Sequence, residues 1–190
     1  MKTCRPDRLN RVPYDTARAW IQTLDIGLVC GTNPIAREIQ RLTESDYSHA
    51  LKCGWCGSVL MAAESTRPES RIVTLSSRVA DAPGRIDIYR LRPEVAACVD
   101  ENRAWAWAKR AAGIDYPESE ILADWREIVL GVDNDRPNSD CPTTRRVCSE
   151  MIHACLRVAG MAPIREFDCD VYPGTLADPG WVNYLYTLEA

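Results

Sequence analysis

Short apolar runs alternate along the chain with stretches whose apolar residues recur every three or four positions. Residues 1–13 are polar with two prolines and read as a loosely held arm. Residues 14–24 carry Ala17, Trp20, Ile21 and Leu24 at helical spacing, which predicts a short docking helix. Ile26-Gly27-Leu28-Val29-Cys30-Gly31 is a run of strand length closed by glycine. Asn33-Pro34 then supplies a helix cap and a first-turn proline, so a helix runs to about Thr43 and buries Ile35, Ile39 and Leu42. Residues 47–53 and 58–64 read as strands, with Gly54-Trp55-Cys56-Gly57 as the hairpin connection. Residues 71–75 and 85–91 are further strands, divided by the turn Asp81-Ala82-Pro83-Gly84.

The second half is helical. Pro93 opens a helix that closes at Gly113, with Val95, Cys98, Val99 and Trp105 among its buried side chains, and Pro117 opens another that stops at Gly131. Residues 132–144, rich in Asp, Asn, Pro and Ser, form a loop placed to rim or cover the start of the next element. That element is one amphipathic helix, residues 145–160. At 100° per residue Cys148, Met151, Ile152, Cys155, Leu156 and Ala159 share an apolar face, Glu150, His153 and Arg157 the opposite one, and Gly160 ends it. A turn-rich return over residues 171–180 leads to a last strand at about 181–188. Strands that segregate from helices in this way predict an α+β fold, a mostly antiparallel sheet packed with helices rather than a doubly wound one. Residues 1–23 form the arm and docking helix, and residues 24–190 a single domain.

Composition narrows the class. The 190 residues are 46% hydrophobic and 26% charged, with net charge −4, which argues against nucleic acid as a partner. No apolar run is long enough for an integral membrane segment, and no secretory signal is visible. Nine cysteines then read as reduced thiols of a cytoplasmic chain, the other possibility being a phage-encoded protein exported without a signal. There is no phosphate loop, no HExxH and no nucleotide fingerprint, and neither a metal nor a cofactor is expected.

Chemistry centres on Cys148. Its place in a first helical turn, near unpaired N–H groups and after Arg145 and Arg146, favours the thiolate; equally, a cysteine on an apolar face is commonly just a small buried hydrophobe. There are two histidines. His153, five residues after Cys148 and about 140° round the helix, cannot face the thiol and is expected at the surface. His49 lies just after a polar turn, where an imidazole can reach a site at the sheet edge. If residues 58–64 pair with the strand of His49, Glu64 can orient the imidazole; alone, Glu64 reads as a solvated strand-end carboxylate. Cys53-Gly54-Trp55-Cys56 is the rival from another class, a redox dithiol or half of a zinc site. Its flanks are strands and no second CxxC exists.

The ordered set Leu24-Asp25-Ile26-Gly27, Asp46-Tyr47-Ser48-His49-Ala50, Ala62-Ala63-Glu64 and Val147-Cys148-Ser149-Glu150 resembles the circularly permuted NlpC-type papain-like proteins, often called YiiX-like. The resemblance runs from about Leu24 to Leu176. It includes Gly113-Ile114-Asp115-Tyr116-Pro117, similar to a Gly-x-x-Tyr-Asp region with Asp and Tyr transposed. Asp25-Ile26-Gly27 departs from the usual Gly-Asp-Ile, and residues 52–56 replace an apolar strand end. The resemblance implies a papain-like fold and acyl transfer, with Cys148 as nucleophile, His49 as base, Glu64 as orienting residue and Tyr47 lining the pocket. Ser149 contributes at the helix start, where backbone N–H groups suit an oxyanion; Arg145 and Arg146 are placed to meet a substrate carboxylate or, equally, to form a solvated pair before the helix. The expected function is hydrolysis of a peptide or peptidoglycan-type amide, the partner being a small peptide, a peptidoglycan fragment or an acyl substrate. Esterase or transferase chemistry on lipid acyl groups is the alternative on the same residues. A binding module that keeps the fold without catalysis is the non-enzymatic one.

Overall fold

The computed structural model describes residues 10–82, 84–116, 147–162 and 171–189. The helix expected from Pro117, the loop at 132–144 and both Arg145 and Arg146 lie outside them. Seven strands form one sheet: β1 (Arg11–Pro13), β2 (Ile26–Gly31), β3 (His49–Cys56), β4 (Val59–Ser65), β5 (Ser70–Thr74), β6 (Gly84–Leu91) and β7 (Val182–Glu189). Their order is β1-β7-β6-β2-β3-β4-β5, antiparallel throughout except for the parallel β1–β7 pair. The helices are α1 (Tyr14–Ala17), α2 (Pro34–Leu42), α3 (Leu75–Ala80), α4 (Pro93–Ala96), α5 (Glu101–Arg110) and α6 (Cys148–Val158). The mixed α+β class with a mostly antiparallel sheet is as expected.

Alternation along the strands gives the sheet two buried faces. Ile26, Leu28, Ala50, Ala63, Tyr89 and Leu91 pack under Trp105 of α5 and Met151, Ile152 and Leu156 of α6. Val29, Leu51, Leu60, Ala62, Ile86 and Ile88 face the other way, under Ala17, Ile21, Leu75 and Val79. A side chain at Gly54 of β3 would collide with the Trp105 ring, so this glycine is where α5 settles on the sheet.

Several local expectations give way. Residues 11–13 belong to the sheet rather than to a loose arm, held by Thr187 and its neighbours. The docking helix is one α-turn and a 3-10 turn, Arg18–Trp20, after which Ile21 is extended. Arg90 donates to the Trp20 carbonyl and Asp25 accepts from the Gln22 N–H, so the chain is drawn away from helical geometry and Trp20 stays 51% exposed. α2 forms with Asn33 as cap, accepting from the Ala36 N–H, but it lies on the outside: Ala36 is buried while Ile35 is 59% exposed. The β3–β4 turn is only Gly57-Ser58, with Gly57 at φ 60°, because Cys56 pairs with Val59. The long helix expected from Pro93 breaks before Asp100, whose carboxylate caps α5 by accepting from the Arg103 N–H, and Cys98 is exposed.

Lys52 on β3 is wholly buried on the α5/α6 face, its Nζ donating to the Thr23 carbonyl at 3.2 Å. Burial depresses its pKa below the ordinary 10.5, against the pull of nearby thiols and carboxylates. Between its depressed folded value and 10.5 the unfolded chain holds more protons, so stability rises with pH across that window. Lys52→Met should therefore gain on the order of 1 kcal/mol near neutral pH and lose this slope, measured by urea unfolding at several pH values. An unchanged slope would show that Lys52 stays protonated in the fold.

Candidate active site

His49 opens β3 and Cys148 opens α6, so two element ends meet. Register explains the third member. Lys52 pairs with Ala63, and continuing that antiparallel ladder sets Glu64 diagonally from His49 on the same face. His49 Nε2 and Glu64 Oε2 are 2.8 Å apart, and Cys148 lies near enough to the imidazole to raise its pKa. With Nε2 taken by the carboxylate, Nδ1 is the nitrogen left for the sulfur. The site lies inside the molecule: Cys148 is 4% exposed, Glu64 1% and the His49 side chain 17%.

Two further residues complete it. Arg71, directly across from Glu64 on β5, donates through Nε and Nη2 to Oε1 at 2.9 and 2.7 Å. Arg78 on α3 donates through Nε to Oε2 at 2.9 Å. Burial alone would raise the Glu64 pKa, but His49, Arg78 and Arg71 together hold the carboxyl well below its usual range. For His49, burial works downward, and Cys148 and Glu64 outweigh it and carry the imidazole up to about 9. No motif marks the two arginines, which look like ordinary strand and helix charges. The available signal is their place 7 and 14 residues after Glu64, within reach once β4, β5 and α3 fold back on one another.

The first bond of the α6 ladder runs from the Met151 N–H to the Val147 carbonyl, so the N–H groups of Cys148, Ser149 and Glu150 lie ahead of it. Glu150 accepts from the Val147 N–H at 3.0 Å and steadies this turn. The Ser149 side chain is shut inside with no partner for Oγ among the described residues, so what Ser149 can offer a ligand is its backbone N–H.

Tyr47 does not line a pocket. It is fully buried, its hydroxyl donating to Asp87 Oδ2 at 2.9 Å and lying 2.7 Å from the Tyr89 hydroxyl. Asp87 is further held by Thr187 Oγ1 at 2.6 Å and Arg85 Nε at 3.0 Å. This network pins the chain two residues ahead of His49. His153 is also not at the surface: α6 is covered by the sheet on one side and α5 on another, and His153 is fully buried. In an extended strand residues three apart point to opposite faces, so Cys53 is buried beneath the α3 side while Cys56 is exposed. The CxxC therefore does not present two thiols to one point.

No family model and no curated protein matches the chain. Among solved structures, it is similar in fold to the crystal structure of metalloprotein YiiX from Escherichia coli O157:H7, DUF1105, with TM-score 0.52 and 22% identity. The match covers 73% of this chain and 66% of that one, just under two thirds of its length. At this identity the likeness is one of fold. No helix among the described residues is long and apolar enough to cross a membrane.

Proposed function

We propose that the chain is a cysteine-dependent hydrolase of the papain-like, permuted NlpC type, cutting a peptide or peptidoglycan-type amide. The observation that carries this reading is the buried cluster of Cys148, His49 and Glu64: His49 Nε2 lies 2.8 Å from the Glu64 carboxylate, and Cys148 and Glu64 both raise the proton affinity of the imidazole. In the proposed reaction Cys148 acts as the thiolate and His49 as the imidazolium. The thiolate attacks the carbonyl carbon, and the oxygen takes up negative charge facing the N–H groups at the start of α6. His49 passes its Nδ1 proton to the amine as the C–N bond breaks, leaving a thioester on Cys148. Neutral His49 then takes a proton from water, whose oxygen attacks the thioester, and the acid leaves as Cys148 returns to the thiolate.

The structural neighbour is called a metalloprotein, and the donors here do not fit an ion. Both Glu64 oxygens are engaged by cationic donors, which leaves Cys148 and His49 as a pair, and no group of three His, Cys, Asp or Glu is arranged to hold a metal ion among the described residues.

Labelling with an electrophilic acyl probe, with peptide mapping of the product, tests the assignment. Exposure favours Cys56 and Cys98, so activation has to overcome it. Cys148 should be modified first at about pH 6, where ordinary thiols are almost wholly protonated, and Cys148→Ala should abolish that fast phase. Preferential modification of Cys56 or Cys98 would overturn the proposal.

A further inference from the structure

Glu64 carries more positive partners than a residue that only orients an imidazole requires. Its two oxygens accept from His49, Arg71 and Arg78, from three different elements. With the thiolate–imidazolium pair formed, the buried group holds two negative charges, on Cys148 and Glu64, and three positive ones. A carboxylate this deep facing His49 alone would stabilise the imidazolium so strongly that the ring would keep its proton. An acid–base works best when it can both hold and release a proton near the working pH. Two guanidinium groups on the same carboxylate oppose that tendency: they draw on its charge and repel the imidazolium, and they also keep the carboxylate ionised and aimed at Nε2.

We propose that Arg71 and Arg78 are positioning residues that set the proton affinity of His49 through Glu64. This rests on the hydrolase reading for its purpose, although its measurement does not need a substrate. The charged groups facing the ring are Glu64 from β4 and Cys148 from α6, with Arg71 of β5 and Arg78 of α3 acting from behind the carboxylate. Arg78 is largely covered, its side chain 12% exposed, whereas Arg71 is 48% exposed and can be replaced with less damage to the core.

The chain has two histidines, so imidazole NMR of histidine-labelled protein gives two sets of ring signals; the His49 set is followed against pH and the His153 set checks the fold. In Arg71→Met the His49 midpoint should move up by about half to one pH unit, the size expected for losing one like charge nearby. Arg71→Lys keeps the charge and should stay close to wild type. Arg78→Met should move the midpoint the same way, provided His153 and the amide spectrum show it folded; if it does not fold, Arg71→Met carries the test. The sign separates tuning from scaffolding. If the arginines only brace Glu64, removing one lets the carboxylate drift from Nε2 and the midpoint falls toward 6.5. A fall, or no change, overturns the proposal. Rapid labelling of Cys148 combined with an unmoved His49 midpoint would remove this inference and leave the hydrolase reading intact. Absent labelling would remove the hydrolase reading whatever the arginine variants do.

Discussion

Glu64→Ala should lower the stability of the folded chain by about 3–5 kcal/mol, the range for breaking a buried ion pair from one side. The residue is 1% exposed, and its removal leaves His49, Arg71 and Arg78 facing one another around an empty place. Arg71 is half-exposed, so solvent screens its share and the loss falls mainly on Arg78 and His49. Acid unfolding carries the same information. The folded carboxyl is held below its ordinary 4.5, so its stabilisation is complete above about that pH and is lost as pH falls toward the folded value. Urea unfolding between about pH 3 and 7 should show wild-type stability falling steeply below 4.5, and Glu64→Gln losing most of that slope. A Glu64→Ala protein within about 1 kcal/mol of wild type would mean that the cluster contributes nothing net, as many buried ion pairs do.

The second large effect separates the two histidines. His49→Ala should slow acylation of Cys148 by the probe by roughly 10²–10⁴-fold, the usual contribution of a positioned acid–base, and abolish the preference for Cys148 at about pH 6. His153 lies about 140° round α6 from the thiol. His153→Gln retains a polar side chain in that buried place and should leave the labelling preference unchanged, even where it lowers the unfolding midpoint. Equal loss from both substitutions would show that Cys148 responds to the integrity of its helix, not to an imidazole partner.

The elements legible in the sequence are those whose signals are local. β2 is an apolar run closed by glycine, α2 starts at an asparagine cap with proline behind it, and β6 alternates cleanly. The Cys148 helix is readable from its stripe, but its environment is not: a helix packed between a sheet and α5 buries His153 of its polar face while Arg157 stays exposed, and periodicity cannot see the second layer. For that reason His153 is inside the molecule and not at its surface. Three residues of β1 are too short to carry a pattern, and their partners lie more than a hundred positions on. In the site, Cys148, His49 and Glu64 are legible only as an ordered set, since each alone has an ordinary structural explanation. Arg71 and Arg78 are not legible, because nothing local says that a strand arginine will face a buried carboxylate. The break before α5 is legible in principle from Asp100-Glu101, a capping residue and then a first-turn acid, but the continuous apolar spacing around it masks the signal.

The parallel β1–β7 pair has a consequence for how the chain is assembled on the ribosome. His49, Glu64, Arg71 and Arg78 lie within residues 49–80, on hairpins and one short helix that close through small loops soon after they emerge. Residues 11–13 by contrast wait for residues 187–189, and until those are made one margin of the sheet has no neighbour. Cys148 comes between the two, on a helix that docks against a sheet still lacking β7. Nascent chains halted after residue 116 would thus contain the His49 imidazole, its carboxylate and both guanidinium groups without Cys148, so this charged cluster can form before the helix that covers it is made.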